Sequence, residues 1–522
     1  MMNSYPINRF WLAFATCLLC LSSCLSSNEK EESDDTSSEA TASPNIVLIY
    51  IDDLGYGDLS CYGATGVTTP YVDQMAQNGL IFTDAHCSAA TCTPSRYALL
   101  TGQYAFRNRA AVLQGDAPLI ISPAQTTLPK QLKSAGYATA VIGKWHLGLG
   151  NGDLDWNQKI SPGPLEIGFD ECFLIPATGD RVPTVYVENH KVLNLDPADP
   201  ISVSYKEPIP GVRTGTSHPQ LLRYTADPQH SQTIVNGVSR IGYMKGGDAA
   251  RWMDEDFPFL LNDKALDFIR RNQQQPFFLF YSFHDIHVPR LPNPQFQGES
   301  EMGPRGDAIV QMDWMAGQIV KELDTLGLAE NTLIIFTSDN GPVLGDGYGD
   351  QAEELLGEHL PAGPYRGGKY SAYEGGTRVP TIAYWPGRIK PGKSQALMSQ
   401  VDLMASLSEL AGVTDTASQG IDSRSYLSTW LGDSEEGREQ MIEESYTLSL
   451  RQGNWKYIRP RPGKGFKWIQ ENKHIEGGLS PQAQLFELSQ DPGEEHNLAD
   501  QYPDRVAQME KSLQAMIDAE GK

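Results

Sequence analysis

Basic charge is what this sequence most lacks. Its 41 Lys and Arg are outnumbered by 65 Asp and Glu, giving a formal net charge of -24. A nucleic-acid partner needs a basic footprint for its phosphates, so that class is excluded. The acidity says nothing against a polar cleft, which can be locally positive on an acidic protein. Cysteine is sparse too, with seven in 522 residues. Cys17, Cys20 and Cys24 lie in the N-terminal stretch, and Cys61, Cys87, Cys92 and Cys172 have the spacing neither of a zinc site nor of a disulfide-rich framework. A disulfide between two of these four stays open. The apolar run Phe10 to Leu21 is too short to cross a bilayer comfortably, since a spanning helix needs about 20 apolar residues. No internal repeat is present.

What is there begins with export. Asn8-Arg9, the short apolar run and Leu21-Ser22-Ser23-Cys24 have the form of a secretory signal. The last four residues resemble the bacterial lipobox, which implies a lipid anchor at Cys24 and an address in the bacterial cell envelope, periplasmic or surface-facing. An ordinary signal peptide with a chance cysteine is the alternative. Ser26 to Ser43 carries six acids (Glu29, Glu31, Glu32, Asp34, Asp35, Glu39) against Lys30, and such a stretch reads as a solvated tether. The expected organisation is a signal over 1–24, a tether over 25–43, a catalytic domain over 44–389 and a smaller C-terminal α+β subdomain over 390–522.

Between residues 44 and 389, β-type apolar runs alternate with helical patterns, which predicts an α/β fold with a mostly parallel central sheet flanked by helices. Four runs end in polar side chains. Asn45 to Ile51 leads into Asp52-Asp53, Ala138 to Ile142 into Gly143-Lys144-Trp145-His146, Phe277 to Tyr281 into His284 and His287, and Thr332 to Phe336 into Ser338-Asp339-Asn340-Gly341. Ligands bind at the carboxyl edge of such sheets, so the four ends point to one shared site. The Pro- and Gly-rich stretch from about 150 to 260 reads as loops laid over the sheet, where specificity is usually carried. Past Pro386-Gly387 the pattern predicts a helix over 400–411, strands near 455–458 and 484–488, and a closing helix over 503–519.

Asp52, Asp53, Asp339 and Asn340 offer three carboxylates and an amide carbonyl, which suits a hard divalent cation, Ca²⁺ ahead of Mg²⁺. Each pair alone reads more readily as turn residues, a reading that weakens when both sit at the same sheet edge. Cys92-Thr93-Pro94-Ser95-Arg96 places Pro94 just inside a helix that Gly102 ends, so Cys92 sits at a helix N-terminus, where an anion is favoured. Arg96 lies one turn on. A structural cysteine and a thiolate nucleophile are both compatible with that position.

Cys92-Thr93-Pro94-Ser95-Arg96 with Leu99-Leu100-Thr101-Gly102 resembles the signature of the formylglycine-dependent sulfatases, and Gly136-Tyr137-Ala138-Thr139 through Gly143-Lys144-Trp145-His146-Leu147-Gly148 resembles their second signature. Asp52-Asp53, His287-Val288-Pro289, Ser338 to Gly341, and Arg366-Gly367-Gly368-Lys369 through Glu374-Gly375-Gly376-Thr377-Arg378-Val379-Pro380 follow in family order. The resemblance implies an alkaline phosphatase-like fold and a Cys92 oxidised to formylglycine by a separate maturing enzyme. It implies a metal at Asp52, Asp53, Asp339, Asn340 and position 92. Arg96, Lys144 and Lys369 would neutralise the sulfuryl oxygens, His287 or Lys369 would protonate the leaving alcohol, and His146 would release sulfate from the second diol hydroxyl. Of the two histidines in the third run, His287 is preferred over His284.

The implied substrate is a sulfated carbohydrate. Asp180-Arg181 suit bidentate recognition of sugar hydroxyls, with His218, His230 and Arg251 as weaker candidates, and the expected sugar is galactose or N-acetylgalactosamine sulfated at the 6-position. Two rivals stand beside this reading: a phosphate or phosphonate ester hydrolase of the same superfamily, and a non-catalytic glycan-binding surface lipoprotein.

Overall fold

A computed structural model describes residues 43–152, 154–413, 420–461 and 467–519. The signal segment, Cys24 and nearly all of the tether lie outside the described residues. No described helix is long and apolar enough to cross a membrane. The described residues pack as one unit.

The strand-forming runs assemble one ten-stranded sheet. Its members are β1 (Asn45–Ile51), β2 (Leu80–Phe82), β3 (Ala138–Lys144), β4 (Glu171–Ile175), β5 (Val187–Glu188), β6 (Lys191–Val192), β7 (Phe277–Ser282), β8 (Thr332–Ser338), β9 (Thr381–Tyr384) and β10 (Gly392–Ser394), in the order β10-β2-β9-β8-β1-β7-β3-β4-β5-β6. The central five, β8-β1-β7-β3-β4, are all parallel. β9 turns antiparallel on one flank, and β5 and β6 do so on the other. Every residue of β1, β7 and β8 is buried, as both faces of a parallel sheet must be.

Side chains alternate across the sheet. Ile46, Leu48 and Tyr50 join a core with Leu99 and Leu100 of the helix Cys92–Thr101, and with Leu403, Met404 and Leu407 of the helix Leu403–Leu410. Val47, Ile49 and Ile51 join the opposite core with residues of Pro70–Asn78, Phe257–Asn272 and Gly303–Thr325. The result is a helix–sheet–helix sandwich. A four-stranded antiparallel sheet, β11 (Gln440–Glu444) to β14 (Gln484–Glu487) by way of β12 (Leu448–Gln452) and β13 (Trp455–Ile458), carries the closing helix Pro503–Asp518. Its core of Leu450, Tyr457, Leu485, Met509 and Leu513 also holds Ala98 of the Cys92 helix, so this sheet props the helix from beneath.

Two expectations change. β4 to β6 lie inside the stretch read as loops and extend the main sheet; their short runs are hidden among Pro and Gly. The break expected at 390 moves on in the chain, because β10 still pairs into the main sheet and Leu403–Leu410 packs on it; the antiparallel sheet starts at Gln440.

Candidate active site

β1 and β8 are parallel neighbours with Ile51 opposite Ser338, so the chain leaves both strands side by side at one edge. The residues that follow, Asp52, Asp53, Asp339 and Asn340, are all fully buried. The Asp53 N–H donates to Asp339 Oδ1 at 3.3 Å, and Asn340 Nδ2 donates to Asp53 Oδ1 at 2.7 Å and to the Gly341 carbonyl at 2.9 Å. Asp53 holds a left-handed φ of 62°, which turns the chain sharply off the strand. The amide oxygen of Asn340 is buried with no partner.

The other strand ends add cations. Lys144, the last residue of β3, ion-pairs with Asp52 and lies 3.7 Å from Asp339. Arg96 donates through Nε to Asp339 at 2.9 Å, with a second guanidinium nitrogen at 2.7 Å. Lys369 reaches in from an irregular loop to Asp53 at 2.8 Å and Asp346 at 3.3 Å. Cys92 opens its helix as expected, and Gly102 ends it in the left-handed conformation. Its Sγ donates to Asp52 Oδ1 at 3.6 Å.

Both histidine candidates can be given a tautomer, because a carbonyl only accepts. His146 Nε2 meets the Leu113 carbonyl at 3.0 Å and therefore carries the proton, leaving Nδ1 as a buried lone pair without a partner. His287 Nδ1 meets the Val288 carbonyl at 2.7 Å, leaving Nε2 as the lone pair, 3.9 Å from Asp53. His284 is elsewhere occupied, accepting from the Gly179 N–H at 2.9 Å. The preference for His287 therefore has a geometric basis.

Asp180 and Arg181 pair at 2.7 Å, and His230 joins them, with Nε2 at 3.3 Å from Asp180 and Nδ1 at 2.7 Å from Asp227. The group adjoins the site closely enough for the Arg181 charge to lower the basicity of His146. His218 and Arg251 make local contacts instead, to Ser217 and Asp248.

Electrostatics separates the site's groups. Burial, then Asp339, raises Asp52 well above the ordinary aspartate range. Burial also opposes charge on Asp339, but Arg96 and the two lysines outweigh it and lower its pKa. Burial works against the charge of Lys369 as well; Asp53 first, then Cys92, Tyr370 and Asp346, overcome it and raise its pKa well above the usual lysine value. Burial, helped by Lys144, drops His146 well below neutrality, and burial with Lys369 does the same for His287. Burial pushes the Cys92 thiol far up. Cys61, Cys87, Cys92 and Cys172 are all free thiols, which closes the disulfide question for them.

The donor set fits a hard divalent cation. Asp52, Asp53, Cys92 and His287 offer ligand atoms within 4.8 Å of one another, Asp339 and Asn340 border them, and the partnerless Asn340 oxygen is the sort of atom a cation satisfies. Asp346 and Lys473, which ion-pair beside Lys369, had no sequence signal: one lies between two glycines in an irregular loop and the other is 127 residues further along the chain.

The sulfatase family profile matches residues 44–413. The chain is 46% identical over 493 residues to an N-acetylgalactosamine-6-O-sulfatase of Bacteroides thetaiotaomicron, covering 94% of this chain and 96% of that one. It is similar to a solved structure described under the metabolism of multiple glycosaminoglycans by Bacteroides thetaiotaomicron, with a TM-score of 0.88 and 47% identity over 91% of this chain and 99% of that one. A phosphonate monoester hydrolase of Agrobacterium radiobacter, at 16% identity and a TM-score of 0.55 over 91% of this chain and 95% of that one, shares the fold alone. With the family profile over most of its length and a relative alike from end to end, the chain belongs to the sulfatase family and is a sulfuric ester hydrolase.

Proposed function

We propose that the enzyme removes 6-O-sulfate from galactose or N-acetylgalactosamine units of a sulfated glycan, using Cys92 after its oxidation to formylglycine by a maturing enzyme. The observation that carries the sugar is the likeness, over nearly the whole chain, to the Bacteroides N-acetylgalactosamine-6-O-sulfatase. The Asp180–Arg181–His230 group beside the site, with Asp180 and His230 buried and Arg181 partly exposed, supports it, since a carboxylate and a guanidinium fixed in place suit sugar hydroxyls. We also place the enzyme in the bacterial cell envelope, anchored by lipid at Cys24.

The hydrated aldehyde at position 92 supplies two hydroxyls on one carbon, one to attack sulfur and one to expel sulfate without an external water. Asp52, Asp53, Asp339 and the Asn340 oxygen would hold a divalent cation, Ca²⁺ rather than Mg²⁺ because these ligands are all protein oxygens, and it would supply Lewis acidity. Arg96 and Lys144, fixed against Asp339 and Asp52, neutralise charge growing on the sulfuryl oxygens. His146 Nδ1, neutral and unpartnered, takes the proton of the second hydroxyl. Lys369, kept charged by Asp53 and Asp346, holds a proton for the leaving oxygen, and His287 Nε2 borders the same carboxylate.

A panel of sulfated mono- and oligosaccharides, with aryl sulfate and aryl phosphate beside them, tests this reading. Desulfation of 6-O-sulfated galactose-type sugars is expected, with Arg181→Ala raising KM more than it lowers kcat. Activity confined to uronic-acid or glucosamine sulfates overturns the sugar assignment. Mass spectrometry of the peptide spanning position 92 should find the aldehyde, and a free thiol in active protein would overturn the mechanism.

A further inference from the structure

Asp346 is buried between two lysines. Its Oδ2 lies 3.3 Å from Lys369, and its Oδ1 ion-pairs with Lys473, which arrives from the end of the helix Lys467–Lys473. All three are nearly inaccessible, at 5% for Asp346, 2% for Lys369 and 5% for Lys473. The loop that carries Asp346 is pressed against the sugar side of the site: a Cβ on Gly347, which has a φ of 98°, would come within 2.1 Å of His230 Nδ1. One loop thus touches both Lys369 and the histidine that holds Asp180.

A lysine is a compact charge on a flexible stem, and a single carboxylate fixes it poorly. Lys369 has Asp53 as its other partner, yet Asp53 also accepts from Asn340 and belongs to the candidate metal donors. Asp346 is bound to nothing else in that donor set. We infer that Asp346 is a positioning residue: clamped by Lys473, it holds the Lys369 ammonium at the leaving oxygen independently of Asp53, which is shared with the candidate metal donors. The inference rests on the proposed role of Lys369. In that step a hydroxyl oxygen at position 92 bonds to sulfur and gives its proton to water, the electron pair of the breaking S–O bond stays on the sugar oxygen, the Lys369 proton joins it, and the amine regains a proton from water.

The test uses the full chain, matured at position 92, on whichever sulfated sugar the wild type turns over, so that a wrong sugar and a wrong role for Asp346 give different results. Asp346→Asn should lower kcat by about ten- to a hundredfold with KM within about threefold, because a misplaced proton donor slows the step without loosening substrate. Asp346→Glu should recover part of the loss. Lys473→Met should cost kcat less than Asp346→Asn does, and the double variant should be no worse than Asp346→Asn alone, since the lysine acts only through the carboxylate. If Asp346→Asn does not fold, Lys473→Met and Asp346→Glu carry the same kcat test. An unchanged kcat, a loss confined to KM, or fully additive losses in the double variant would overturn the inference.

Discussion

Two of the buried charge clusters among the described residues differ in what completes them. In the first, around Asp84, His86, Glu374, Glu443, Arg451 and Lys456, the protein supplies its own partners. Glu374 takes Arg451 at 2.7 Å, Lys456 at 3.0 Å and Arg378 at 3.1 Å; Glu443 takes Lys456 at 2.9 Å; Asp84 takes Arg451 and Arg378, each at 3.2 Å. Burial opposes the Glu374 charge, but Arg451 and Lys456 overcome it and hold the carboxyl well below its usual range. In the second cluster, Asp52 is driven up by burial and by Asp339, and the Asn340 oxygen has no partner. Asp84, His86 and Glu374 are spaced closely enough to hold an ion too, yet guanidinium and ammonium groups already occupy their oxygens. Proximity of acids therefore does not distinguish a binding site from a structural network. What sets the second cluster apart is the buried amide oxygen of Asn340, which no group of the protein satisfies.

The comparison breaks most visibly at Cys92. Cys92→Ala should lower kcat/KM by at least about a thousandfold while the urea midpoint stays near wild type, because the nucleophile is removed and little packing is lost. The mirror-image result belongs to the network. Glu374→Gln strands buried cations and should cost about 3–5 kcal/mol of unfolding free energy, with turnover per folded molecule holding near wild type. Equal effects of both variants on turnover and stability would dissolve the distinction. Removing divalent metal with a chelator should abolish most activity and lower the thermal midpoint, both restored by Ca²⁺. In the chelated protein, Asp52→Asn should leave stability unchanged or raised, because it relieves the repulsion from Asp339; a drop on the scale of the network variant would contradict that.

The smallest effect concerns pH. Burial raises Glu444, which accepts from the Phe106 N–H at 2.8 Å, to about 8. A folded pKa above the unfolded value means that this group's stabilisation is complete below the ordinary glutamate pKa and is lost as pH climbs through about 8. Glu444→Gln should flatten the fall in stability across that window, measured by urea unfolding at a series of pH values. An unchanged slope would show that the carboxyl titrates normally.

The sequence alone determined the central strands and the groups at their ends. β1, β3, β7 and β8 are continuous apolar runs, and a parallel sheet brings the ends of such runs to one edge whatever the loops do. Asp52, Asp53, Lys144, His287, Asp339 and Asn340 were therefore readable from local pattern, and Cys92 and Arg96 from a helix start and a motif. The tertiary structure decided the rest, because contacts between distant segments leave no periodic trace. It gave the His284 nitrogen to the Gly179 N–H and set His287 Nε2 3.9 Å from Asp53. It divided one motif in two, sending Lys369 to the site and Glu374 with Arg378 to the structural network. It also joined Asp346 to Lys473, a pair that only folding brings within reach.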